Sequence, residues 1–120
     1  MPVELSPLWS IRLRTPRLEL HLPTDDELEE LYRVAEAGIH PPEVMPFHVP
    51  WTDDLNCHDF LEYHRMCWRD WTPAKWSCEF VTFLDGRVIG TQGVNAENFA
   101  TERTVSTGSW LGTPLQGVTA

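Results

Sequence analysis

Apolar and polar side chains alternate between Ile11 and Leu22, with Leu18, Leu20 and Leu22 on one face and Arg17, Glu19 and His21 on the other. This predicts a half-buried strand, and Pro16 makes its first half an edge or bulged segment. The period then changes. Thr24-Asp25-Asp26-Glu27 reads as a capping box, followed by Leu28, Leu31, Tyr32 and Ala35 at helical spacing and by Gly38 as a stop. Pro41, Pro42, Pro46 and Pro50 predict a loop through Trp51. Thr52-Asp53-Asp54 is placed to cap a second helix reaching about Trp68, with Phe60, Tyr63, Met66 and Cys67 as its apolar positions.

From Trp76 to Leu84 the chain is rich in aromatic and β-branched residues, Asp85-Gly86 is a two-residue hairpin turn, and Arg87 to Val94 is the return strand. Asn95 to Thr104 is a polar connection. Val105 to Leu111 is a last strand, in which Gly108 marks a bulge or a close backbone approach. The predicted architecture is a single α+β domain over 1–120: strand, helix, helix, then a three-strand antiparallel meander.

Charge and composition narrow the partners. A formal net charge of -9, from 18 acidic and 9 basic residues, disfavours nucleic acid and an anionic membrane surface. No apolar run approaches the roughly 20 residues of a spanning helix, so a cytoplasmic protein is expected. The three cysteines, Cys57, Cys67 and Cys78, read as reduced and mostly buried thiols. On one helix Cys57 and Cys67 would lie roughly 15 Å apart and could not bond.

The order of elements, with Asp85-Gly86 followed by Val88-Ile89-Gly90, resembles the N-terminal part of the GNAT superfamily of acyl-CoA N-acyltransferases. Leu13-Arg14-Thr15-Pro16-Arg17-Leu18 followed by Leu20 is similar to the first strand of the branch that includes ribosomal-protein N-terminal acetyltransferases. In that superfamily the pantetheine arm of acetyl-CoA adds along the fourth strand like a short extra strand. The resemblance therefore nominates Ser109, Trp110 and Leu111 for pantetheine contact and Gln116-Gly117 for the start of the pyrophosphate turn. It implies acetyl-CoA as substrate, no metal, an amine acceptor, and direct attack without a covalent enzyme intermediate.

The family pattern asks for glycine where Thr119 stands, and the sequence stops at Ala120, inside the turn. Such a turn works through backbone N–H groups and the positive end of the helix behind it. By the resemblance, the C-terminal α/β portion is missing here and activity should be weak or absent. A contrasting reading is a non-enzymatic α+β module that pairs, with itself or a partner, through an exposed Val105 to Leu111 edge.

Acyl transfer to an amine needs a base and stabilisation of an oxyanion. Glu79, on the second core strand, is the candidate base, set against an ordinary solvent-side strand residue; Glu102 falls in a loop. His58, Glu62, His64 and Cys67 are weak metal candidates, because only His58 and Glu62 share an i, i+4 face and His64 and Cys67 an i, i+3 pair. Cys78 on a hydrophobic strand reads as core rather than nucleophile. Six tryptophans are many for this length. Trp51, Trp68, Trp71 and Trp76 read as packing of the second helix on the sheet, or, for Trp51 with Phe47, as an acceptor-binding wall. Asp25, Asp26, Glu27, Glu29 and Glu30 read as a solvated helix face.

Overall fold

The computed structural model describes residues 6–41, 43–47 and 50–116. A five-stranded antiparallel sheet runs in sequence order: β1 (Leu13–Arg14), β2 (Leu18–His21), β3 (Lys75–Leu84), β4 (Arg87–Glu97) and β5 (Ser106–Leu111). Two helices, α1 (Asp25–Ala37) and α2 (Cys57–Arg69), stand between β2 and β3, and a one-turn helix, α3 (Phe99–Glu102), between β4 and β5.

The capping box of α1 forms as predicted. The Thr24 hydroxyl accepts from Glu27 N–H, the Glu27 carboxylate accepts from Thr24 N–H, and Gly38 ends the helix at φ 125°. The Asp85-Gly86 hairpin also forms, with φ positive at both residues (52° and 78°), the geometry that right-twisted strands favour. Leu28, Leu31 and Ala35 of α1 and Phe60 and Leu61 of α2 bury against Val81, Phe83 and Val88 on one face of the sheet. Cys78 and Phe80 alternate with Glu79 and Val81, so they point to the opposite face. There they meet Leu22 and the N-terminal turn carrying Leu8, Trp9 and Ile11.

Four expectations change. The stretch Ile11 to Leu22 is a tight hairpin rather than one interrupted strand: Leu13 faces Leu20 and Arg14 faces Glu19, so the first half is an edge, but one folded back on the second. The reversal is held by Thr15, whose N–H donates to Leu18 O and whose hydroxyl accepts from Leu18 N–H, both at 2.9 Å. Helix α2 starts later than Thr52-Asp53-Asp54. Its cap is Asn56, whose Oδ1 accepts from Asp59 N–H while its amide donates to the Asp59 carboxylate, both at 2.9 Å. Residues 51–54 instead form a turn, in which Asp53 N–H donates to Pro50 O at 3.2 Å.

On α2 the inward positions are Phe60, Leu61, His64 and Cys67, while Tyr63 and Met66 are exposed. Finally, Gly108 is neither a bulge nor a close approach, since the β4–β5 register is unbroken and a Cβ there would meet nothing within 4 Å. The close approach is at Gly90, where a Cβ would stand 2.0 Å from the Trp110 carbonyl oxygen.

Candidate active site

The strand register places Glu79, Gly93 and Gly108 in one row, and Val81, Thr91 and Trp110 in the next. Directly paired residues share a face, so Glu79 looks across two glycines toward β5. The first of them is occupied from above. A Cβ on Gly93 would lie 2.5 Å from Glu79 Oε2, so the carboxylate rests in the space that glycine leaves. Glu79 is half-buried, and burial raises its pKa above the ordinary carboxylate value. The Tyr63 hydroxyl donates to Glu79 Oε1 through a long bond of 3.4 Å.

Glu79 and its glycines floor a cavity of about 1030 Å³. One wall is α2, through Asp59, Phe60, Tyr63 and His64; another is the loop after α1, through His40, Phe47 and Trp51; a third is β5, through Ser109, Trp110 and Leu111. The Phe47 and Trp51 rings lie 5.0 Å apart, and Trp51 reaches Trp110 at 5.7 Å and Phe60 at 6.1 Å. The two aromatic candidates from the proline-rich loop therefore stand in the same wall as the β5 tryptophan. His40 fastens this loop. Its Nδ1 donates to Pro41 O at 2.7 Å, and its Nε2 lies 2.7 Å from the Thr52 hydroxyl oxygen.

His64 is buried at 4% exposure between the Phe60 and Tyr63 rings. Burial lowers its pKa to about 4, and its Nδ1 has no hydrogen-bond partner among the described residues. The remaining tryptophans pack outside the cavity: Trp68 meets Trp9 edge-on at 5.1 Å and Trp71 stacks on Trp76 at 5.3 Å.

Among the described residues, β5 is an edge strand of the sheet. Its residues Ser106 to Ser109 are exposed, and Trp110 and Leu111 are half-buried. Gly112 N–H bonds Ile89 O at 2.9 Å, and by antiparallel alternation the main-chain groups of Leu111 and Ser109 face away from β4. Gln116 closes the end of this edge. Its amide donates to Leu111 O at 3.0 Å and to Ile39 O, tying β5 to the exit of α1. Gly117 lies outside the described residues.

The metal candidates are dispersed. His58 meets Asp59, Glu62 pairs with Arg69 at 2.7 Å, and Cys67 is buried; no group of three His, Cys, Asp or Glu that could hold a metal occurs among the described residues. Glu102 is exposed on α3, outside the cavity lining. Burial holds the Cys67 and Cys78 thiols above their ordinary pKa, Cys78 at about 11, which leaves them unreactive at neutral pH; Cys57 is exposed. No helix among the described residues is long and apolar enough to cross a membrane.

The sequence missed the partners of Glu79. Nothing local marks Gly93 or Tyr63, because the first is set by strand register and the second by the docking of α2. The one available signal was that Gly93 interrupts a strand.

No protein-family model matches the sequence. Among solved structures, the fold is similar to that of a Vibrio cholerae protein provisionally described as a ribosomal-protein-serine acetyltransferase, with a TM-score of 0.62 and 24% identity over 90% of this chain. It is also similar to a protein described as a probable acetyltransferase, with a TM-score of 0.58 and 13% identity over 89% of this chain. The chain spans 58% and 57% of the length of these two proteins. The fold is that of GNAT-type acetyltransferases, as the order of elements implied.

Proposed function

We propose that the cavity is the reaction site of an N-acetyltransferase that moves an acetyl group from acetyl-CoA to a primary amine by direct attack. The observation that carries this reading is the Glu79 carboxylate, held over Gly93 in the same cavity as the free edge of β5. Acetyl-CoA, when bound, supplies an acyl group activated as a thioester. The outward main-chain groups of Ser109 and Leu111 suit the amides of its pantetheine arm as an added strand, with Trp110 on the cavity side. Leu111 O already accepts from Gln116, but a carbonyl has two lone pairs and can be shared. In this reading Gln116 positions the edge. Gly117 keeps its proposed place at the start of the pyrophosphate turn.

Glu79 is the base. Attack requires a neutral amine, and a carboxylate whose pKa burial has raised is a better acceptor for the ammonium proton than one in water. Tyr63 orients it, and Phe47 and Trp51 form the acceptor wall. A cytoplasmic setting suits both acetyl-CoA and the two buried thiols. The exposed β5 edge also favours a second reading, an interaction module that pairs strand to strand with a partner or a second copy.

Thermal unfolding with and without acetyl-CoA tests the first reading. Binding at about 100 times the dissociation constant should stabilise the protein by roughly 2.7 kcal/mol. Glu79→Gln should keep that stabilisation and lower transfer about 100-fold or more. A folded protein whose midpoint does not move with acetyl-CoA overturns the proposal.

A further inference from the structure

We infer that the acceptor is an amine carried on an apolar, ring-sized body with no carboxylate beside it, the chemistry shared by an arylalkylamine and by the amino end of a peptide whose first side chain is apolar. This rests on the proposed reaction site and goes on to say what that site selects.

The charged groups of the cavity have one sign. Asp54, Asp59 and Glu79 line it, and no Lys or Arg does so among the described residues. The buried histidine does not offset this. His64 is buried, and its low pKa keeps it neutral near pH 7. His40 commits both ring nitrogens to the loop, one at Pro41 O and the other at Thr52. An ammonium entering the cavity thus meets Glu79, whereas a carboxylate on the neighbouring carbon meets the same carboxylate and finds no lysine or arginine among the described residues. Like charges brought together in a half-buried site cost far more than an exposed pair.

The body of the acceptor is set by the rest of the wall. Phe47, Trp51 and Trp110 form a continuous aromatic surface, with ring separations of 5.0 Å and 5.7 Å, above the glycine floor. An aliphatic polyamine would leave much of this surface wet, while a ring covers it.

The test is quenching of tryptophan fluorescence in the intact protein by tyramine, tyrosinamide, tyrosine and putrescine, with acetyl-CoA titrated in parallel. Tyramine and tyrosinamide should bind at least about tenfold more tightly than tyrosine and putrescine. Glu79→Gln should narrow the gap between tyramine and tyrosine. If tyramine binds more tightly than tyrosinamide, the acceptor is a small amine; the reverse order points to a peptide amino end. Equal binding of tyramine and tyrosine, a gap unmoved by Glu79→Gln, or no binding by any of the four overturns the inference. If acetyl-CoA still binds in that case, only the acceptor class has failed; if acetyl-CoA does not bind, the proposed function has failed with it.

Discussion

At the scale of single residues, the candidate chemistry depends on a side chain that is not there. Gly93 leaves the space in which the Glu79 carboxylate lies, and a methyl group would stand within 2.8 Å of three carboxylate atoms. The carboxylate is the far end of a flexible side chain, so it would swing aside at small cost to the fold. Gly93→Ala should therefore lower acetyl transfer at least about tenfold while leaving the unfolding midpoint within a few degrees, as activity assays and calorimetry on one preparation would show. A loss of stability with unchanged transfer would mean that Glu79 does not work from this position. His64 gives the second prediction at this scale. Its pKa falls from 6.5 to about 4 on burial, so between those values the unfolded chain binds a proton that the folded chain refuses. Stability then falls as pH drops through 6.5 and stops falling below about 4, a loss of roughly 3 kcal/mol. In denaturant titrations at pH 7 and pH 4.5, His64→Leu should remove most of that loss, and should not destabilise at pH 7, where it also removes an unpartnered buried nitrogen.

Among the elements, those written in contiguous residues were legible. The capping box at Thr24, the stop at Gly38 and the Asp85-Gly86 turn each need only four or fewer neighbouring residues, and each formed where the sequence placed it. Elements that depend on distant partners were not. The Thr15 reversal was hidden because Pro16 disrupts a strand and begins a turn equally well, and only pairing with Leu20 decides between them. Gly108 and Gly90 both sit in strands, and which of them admits another backbone follows from the β4–β5 register. Gly90→Ala carries the prediction at this scale. Its Cβ would meet backbone rather than a movable side chain, 2.0 Å from Trp110 O and 2.9 Å from Leu111 Cα. The substitution should cost about 3 kcal/mol or more in chemical denaturation and loosen β5 from β4. Gly108→Ala, with open space around its Cβ, should cost less than about 1 kcal/mol and so serves as the control.

For the whole molecule, both faces of the sheet carry packing, and among the described residues no strand lies beyond β5. Helices α1 and α2 pack on one face and leave the cavity over Glu79 open, the N-terminal turn with Leu8, Trp9 and Ile11 covers part of the other, and β5 closes the series with Ser106 to Ser109 exposed. An unpaired edge invites a ligand, a partner strand or a second copy, and the two functional readings differ in which one uses it. Ser109→Pro separates edge use from folding. The Ser109 N–H faces away from β4, so proline removes an outward donor while the ladder to β4 remains. Cooperative unfolding should persist, with the midpoint lowered by no more than a few degrees. If the edge receives pantetheine, acetyl-CoA should bind about tenfold more weakly to the variant, for want of one hydrogen bond and the fit of the strand around it. Both proteins should then sediment as monomers at every concentration. If the edge instead pairs two copies, the unsubstituted protein should sediment as a concentration-dependent dimer, Ser109→Pro should dissociate it, and acetyl-CoA should move neither species. Sedimentation and an acetyl-CoA titration of the two proteins side by side therefore decide what the free strand is for.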